Sequence, residues 1–222
     1  MIKAIVFDFD GLIFDTETAE YRAFQEIYTA HGVELDLEVW GQWVGTDSSP
    51  FNPYDHLDEC VGRPLEREAI RTWRRANYKK LIAEEQVRPG VEDCLKSAKE
   101  LGLRIGLASS SPRAWVTEHL HALGLIHCFD CIRVREDVAT VKPDPELYLQ
   151  VIRRFGIEPE EAVAFEDSPN GALAAKRAGM YCVVVPNDVT RALPFGDVDL
   201  RLESLEHIRL AALIERLTQD SP

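Results

Sequence analysis

The spacing of apolar residues changes several times along the chain, and each change marks an element. Ala4 to Phe7 is a short unbroken apolar run with β-branched residues, as expected of a strand buried on both faces. Thr16 to His31 has Phe24, Ile27 and Tyr28 at helical spacing, with Gly32 as its stop. Val33 to Gln86 shows no period-two alternation. It holds Trp40, Trp43 and Trp73, a Gly/Ser/Pro/Asn-rich break from Gly45 to Pro53, and a polar helix over Leu65 to Glu85. This stretch is expected to form a small all-helical unit inserted after the first strand.

From Val87 the pattern alternates between the two periods. Pro89-Gly90 turns into a helix over Val91 to Leu101, stopped by Gly102. Strands are expected at Leu103–Ala108, Cys128–Val134, Ala162–Phe165 and Tyr181–Val185. Helices are expected between them, one ending near Gly124, then Glu146–Phe155 and Asn170–Ala178, and a last one at Leu205–Leu217. Strands separated by helices at this spacing make right-handed βαβ units. The expected fold is α/β: a doubly wound parallel sheet of Rossmann-like type, residues 1–15 and 87–222, with an all-helical insertion at 16–86.

Composition narrows the class. Of 222 residues, 45% are apolar and 28% charged, the balance of a globular chain. No apolar run approaches the about 20 residues of a membrane span, and the chain starts on a strand rather than a leader sequence. A cytoplasmic monomer is the expectation. A net charge of −13 disfavours nucleic acid and anionic membranes as partners. It also means that an anionic substrate needs a local positive site. The five cysteines have no framework spacing, and Cys128-x-x-Cys131 sits in an expected strand rather than opening a helix, as a redox pair would.

In a parallel sheet all strands point their carboxyl ends at one rim, where open α/β sheets bind ligands. That rim gathers Asp8-x-Asp10, Ser109-Ser110-Ser111, Lys142 and Glu166-Asp167. Each has an ordinary reading alone: a turn, a serine cap, a solvated lysine, an acidic helix start. Together they are four carboxylates and one ammonium. Asp8 and Asp10 can supply a nucleophile and an acid/base, or two metal ligands. The close carboxylates repel unless a hard cation such as Mg²⁺ neutralises them. Serine amides and hydroxyls at a helix start suit phosphate oxygens. Phosphoryl transfer fits, because its catalysis is mostly positioning and charge neutralisation.

These stretches resemble, in order and spacing, the four motifs of the haloacid dehalogenase-like hydrolases: Asp8-Phe9-Asp10-Gly11, Ser109, Lys142-Pro143 and Glu166-Asp167. The resemblance covers essentially the whole chain. The run Phe7 to Glu17 is similar to that of the β-phosphoglucomutase-like and phosphoglycolate phosphatase-like subgroup, and the insertion resembles its helical cap. The resemblance implies that Asp8 attacks phosphorus and that Asp10 is the acid/base. It implies Mg²⁺ on Asp8, the Asp10 carbonyl and Asp167, with Glu166 close by. Ser109 and Ser110 would hold the phosphoryl oxygens, and Lys142 would bridge Asp8 and the phosphoryl group. The substrate would be a small phosphorylated metabolite, such as a sugar phosphate.

A mutase of this subgroup would carry a histidine on the first cap helix, where this chain has Glu20, and an arginine near Gly45, where it has none. Hydrolysis is therefore expected over isomerisation. A non-enzymatic phospho-acceptor of receiver type is the remoter alternative, since it needs neither Asp10 nor a cap. Glu17, Glu20, Thr46 and Lys79 are candidate substrate contacts from the insertion.

Overall fold

The protein is described by a computed structural model over residues 1–41 and 51–219. Six strands form one parallel sheet: β1 (Ala4–Phe7), β2 (Arg104–Ala108), β3 (Cys131–Arg133), β4 (Ala162–Glu166), β5 (Tyr181–Val184) and β6 (Leu200–Arg201), in the order β3-β2-β1-β4-β5-β6. The order reverses at β1, so the first and fourth strands lie side by side at the switch point, where such sheets bind ligands. Their register pairs Phe7 with Phe165, and the two rings stack at 5.0 Å between centroids. Asp8 and Glu166 thus leave the sheet at the same height.

Helices cover both faces. On one, α5 (Val91–Glu100), α6 (Arg113–Ala122) and α9 (Leu210–Gln219) pack with Ile5, Phe7, Ile105, Leu107 and Val163. On the other, α7 (Glu146–Phe155) and α8 (Pro169–Arg177) pack with Val6, Ala164 and Val184. Gly106 in β2 lets α7 approach closely: a Cβ there would stand 2.5 Å from a Val151 methyl.

Between β1 and α5 lie α1 (Thr16–Ala30), α2 (Leu37–Trp40), α3 (Pro53–Val61) and α4 (Arg67–Glu84). They enclose a separate apolar cluster of Phe24, Ile27, Tyr28, Leu35, Trp40, Leu57 and Ile70, joined from the opposite end of the chain by Val189. Asp15, Asp36 and Asn52 cap the first three of these helices with side-chain oxygens. The two crossings between this unit and the sheet run side by side. Phe14 bridges antiparallel to Val87, and the Arg88 amide donates to the Ile13 carbonyl at 2.9 Å.

Two expectations need correction, and one strand was missed. The strand over Cys128–Val134 starts only at Cys131, after a 3₁₀ turn at Ile126–Cys128. Asp130 receives the Ile105 amide on its side chain (2.8 Å) and gives its own amide to the Ile105 carbonyl (2.8 Å), so a carboxylate closes the start of this ladder. The last helix is broken: a 3₁₀ turn at Leu205–His207 precedes α9, with Ile208 extended between them. Strand β6 was not foreseen, because two residues carry no period.

Gly106→Ala is expected to destabilise by about 1–3 kcal/mol, from overpacking. Thermal unfolding of Gly106→Ala and of Gly106→Ala/Val151→Ala checks this, with the second substitution recovering part of the loss.

Candidate active site

Every strand-end motif expected at the rim is there. Asp8 follows β1 and donates its amide to the Phe165 carbonyl at 3.0 Å, which fixes the backbone beneath the carboxylate. Lys142 reaches in from the loop before α7. Its Nζ donates to Asp8 Oδ1 at 2.5 Å and to Glu166 Oε1 at 2.6 Å. The Lys142 side chain is 6% exposed and the Glu166 side chain 0%, so this is a buried acid–base–acid triad. Tyr148 completes it. Its hydroxyl donates to Glu166 Oε1 at 2.6 Å, and the ammonium lies 4.9 Å from its ring centre.

Glu166 has no room to move. A Cβ on Gly171 would stand 2.0 Å from its oxygens, so the first turn of α8 passes directly over the carboxylate. Asp167, 2% exposed, is held by the Asn187 side-chain amide at 2.8 Å. The same amide and the Arg88 guanidinium both donate to the Gly11 carbonyl, at 3.3 and 2.5 Å. Gly11 has φ +79°, and a Cβ there would stand 2.1 Å from Asp167 Oδ2. Only glycine lets the chain turn this close to the second acidic loop.

Asp10, one residue before this anchor, also lines the cavity. Ser109 Oγ donates to its Oδ2 at 3.3 Å, and the Trp115 indole donates to its Oδ1 at 2.8 Å. The Ser109 hydroxyl also accepts the Ser111 amide at 3.0 Å, which shapes the serine turn at the entry to α6. Asp8, Asp10, Glu17, Ser110, Lys142 and Asp167 are among the residues lining a cavity of about 140 Å³. Arg135, which sequence reasoning passed over, is on its rim and donates to the Ser110 carbonyl at 3.0 Å.

The charges show what the cavity lacks. Burial pushes the Asp8 carboxyl up to about 8; Lys142 pulls against this, while Glu166 and Asp10 push with it. Burial, then Asp8 and Glu166, hold Asp167 well above the usual carboxylate range. Burial would lower the Lys142 ammonium, but Asp8 and Glu166 more than offset it, so Lys142 stays charged. One ammonium does not neutralise three carboxylates. Asp8, Glu166 and Asp167 can each present an oxygen within 4.8 Å of the others. A cluster of oxygen ligands with uncompensated negative charge fits a hard divalent cation. Glu166 already receives Lys142 and Tyr148, which leaves Asp8 and Asp167 the more available ligands.

The insertion contributes unevenly. Glu17, in the first turn of α1, lines the cavity, and burial with Asp10 and Glu20 nearby pushes its carboxyl up to about 8. Glu20 is tied to Arg74 of α4 by an ion pair, and the Arg74 guanidinium lies 5.2 Å from the Tyr78 ring centre. Lys79 faces a different cavity, between α4 and α6, with Ile82 and His119. Thr46 and Gly45 lie outside the described residues. Tyr148 and Asn187 were not foreseen. Asn187 follows β5 at the same rim, so the strand-end rule could have found it; Tyr148 is one aromatic among several on an apolar helix face.

A doubly wound sheet with four acidic, basic and serine loops at its switch point defines the class, and comparison with known proteins agrees. Residues 2–179 match the family described as Hydrolase: haloacid dehalogenase-like hydrolase. The chain is 51% identical over 221 residues to YhcW of Bacillus subtilis, a protein provisionally named a phosphatase, with the whole of both chains covered. It is 32% identical over 213 residues to the phosphorylated carbohydrates phosphatase of Thermotoga maritima, covering 90% of this chain and 94% of that one. The crystal structure of CbbY from Rhodobacter sphaeroides in complex with phosphate superposes with a TM-score of 0.71 at 32% identity, over 96% of this chain and 100% of that one. The chain belongs to the haloacid dehalogenase-like hydrolases, and it is an enzyme of phosphatase type. Among the described residues, no helix is long and apolar enough to cross a membrane.

Glu17 gives a pH prediction. A carboxyl raised from 4.5 in the unfolded chain to about 8 in the folded one holds a proton in the native state that the unfolded state has shed. Stability from this group is therefore full below about pH 4.5 and falls as pH rises toward 8. Glu17→Gln lacks this loss. Its stability relative to the parent is expected to grow from pH 5 to pH 8 in denaturant titrations.

Proposed function

We propose that this enzyme hydrolyses phosphomonoesters of small polar metabolites, sugar phosphates foremost, through a phosphoryl group carried on Asp8. The carrying observation is the grip of Lys142 on Asp8 at 2.5 Å, backed by Glu166 and facing the cavity shared with Asp10 and Asp167. A buried carboxylate held in one orientation beside a fixed ammonium is placed to attack, and the ammonium meets the charge of the incoming phosphoryl group.

In the first step an Asp8 oxygen bonds to phosphorus, the bond to the leaving oxygen breaks, and Asp10 gives that oxygen a proton. In the second, water attacks phosphorus, Asp10 takes a proton from it, and the bond to Asp8 breaks. Ser109 and Ser110 supply donors at the serine turn, and Lys142 spans Asp8 and the phosphoryl oxygens. Mg²⁺, held by Asp8, Asp167 and the Asp10 carbonyl with Glu166 behind them, would supply the remaining positive charge on the nucleophile and phosphoryl oxygens. The relatives named for sugar phosphates and the bound phosphate in CbbY support the substrate class.

In this reading residues 16–86 are a cap and the core is 1–15 with 87–222. The paired crossings at Phe14–Val87 would be its hinge, and closure would exclude water during the first step. Glu17 is then the cap residue best placed to touch the substrate. A mutase is less supported, because Glu20 is engaged with Arg74 and is not a free acid/base.

The test is a panel of phosphorylated metabolites scored for phosphate release with and without Mg²⁺. Release is expected with Mg²⁺, to stop with a chelator, and to be lost in Asp8→Asn and Asp10→Asn while the far-ultraviolet circular dichroism is unchanged. Full turnover in Asp8→Asn, or interconversion of isomers without net phosphate release, contradicts the proposal.

A further inference from the structure

Trp115 is a further residue of this site that the motifs do not account for. It stands on the first turns of α6, half-buried, and its indole N–H donates to Asp10 Oδ1 at 2.8 Å. The other Asp10 oxygen receives Ser109 Oγ at 3.3 Å. Each carboxylate oxygen thus has its own donor, and the two donors come from neighbouring parts of one strand-to-helix turn.

Two other rings pack against the indole. Tyr78 of α4 stacks on it at 6.1 Å between centroids, with the planes 21° apart. His119 packs at 4.0 Å on its own helix, and its Nδ1 is 2.9 Å from the Trp115 carbonyl oxygen. Phe14, at the crossing into the helical insertion, lies 5.1 Å from the His119 ring. One indole therefore touches the Asp10 carboxylate, the insertion through Tyr78, and the crossing through His119 and Phe14.

We infer that Trp115 is a positioning residue for Asp10: its indole N–H, braced by Tyr78 and His119, sets the orientation in which Asp10 hands a proton to the leaving oxygen. The role rests on the phosphatase reading above. An indole N–H only donates and exchanges no proton in the reaction, so it holds Oδ1 as an acceptor throughout. Oδ2, on the Ser109 side, is left as the oxygen that serves the phosphoryl site. The brace comes from the insertion as well as the core, so the orientation of Asp10 depends on where α4 lies.

The role has a signature that a purely structural tryptophan lacks. A poor leaving group, such as an alkoxide, needs the proton from Asp10; a good one, such as 2,4-dinitrophenolate, does not. Trp115→Phe keeps an aromatic ring against Tyr78 and His119 and removes the donor. In kcat/KM with Mg²⁺, it is expected to lose about tenfold to a hundredfold on an alkyl phosphate and less than about threefold on 2,4-dinitrophenyl phosphate. Equal losses on both esters, or none on either, overturn the proposal. A second measurement needs no turnover and no change at Trp115. The Trp115 indole resonance, assigned by its absence in Trp115→Phe, is expected to move upfield and exchange faster in Asp10→Ala. An indole indifferent to Asp10→Ala overturns the proposal even if the enzyme hydrolyses every ester. A parent enzyme inert toward all esters, with the indole still reporting on Asp10, overturns the phosphatase reading and the catalytic role together, while the contact stands.

Discussion

The ammonium of Lys142, buried between Asp8 and Glu166, is the interaction on which the rest of the site depends. Three elements deliver the triad: β1 brings Asp8, the end of β4 brings Glu166, and the loop before α7 brings the lysine. Burying one carboxylate here alone would protonate it. Burying two around one ammonium leaves an excess negative charge that Asp167 makes worse. The site is therefore incomplete electrostatically as it stands. A divalent cation held by Asp8 and Asp167 would offset that excess, which leaves Lys142 and the serine-turn donors to face the charge of a phosphoryl group.

The surrounding fold serves to make this cluster rigid. Tyr148 and the close pass of α8 over Glu166 fix one end of the triad. Gly11, Asn187 and Arg88 knit the turn after β1 to the turns after β4 and β5. Asp10 stands apart from this lattice. Its contacts are a hydroxyl and an indole, and the indole reaches the helical insertion through Tyr78. Asp8 is thus held by the core alone, whereas Asp10 is held jointly by core and insertion. In the proposed two-step reaction, that division would keep Asp8 fixed while Asp10 responds to the insertion, with water excluded in the first step and admitted in the second.

Much of this was legible in the residues because strand order and rim chemistry are coarse signals. The unbroken apolar run before Asp8 and the repeated strand–glycine–helix spacing fixed the sheet and gathered Asp8, Ser109, Lys142 and Glu166-Asp167 at one end of it. What escaped depends on single contacts. A carboxylate replaces the first rung of β3 at Asp130, which no apolar pattern reports. Asn187, Tyr148 and Trp115 act through side chains that read as loop, core and core until their partners are known. Lys79 belongs to a charged helix, and only the three-dimensional packing shows that its face turns toward α6 rather than the acids.

The central claim is that Asp8 carries the phosphoryl group. It is tested most directly by mixing the enzyme with Mg²⁺ and a turned-over phosphate ester, quenching in acid within the first turnover, and mapping the peptides by mass. The account predicts one added phosphoryl group on the peptide spanning Asp8, labile to hydroxylamine. A phosphoryl group on any other residue, or none at a time when the first product has already appeared, contradicts it.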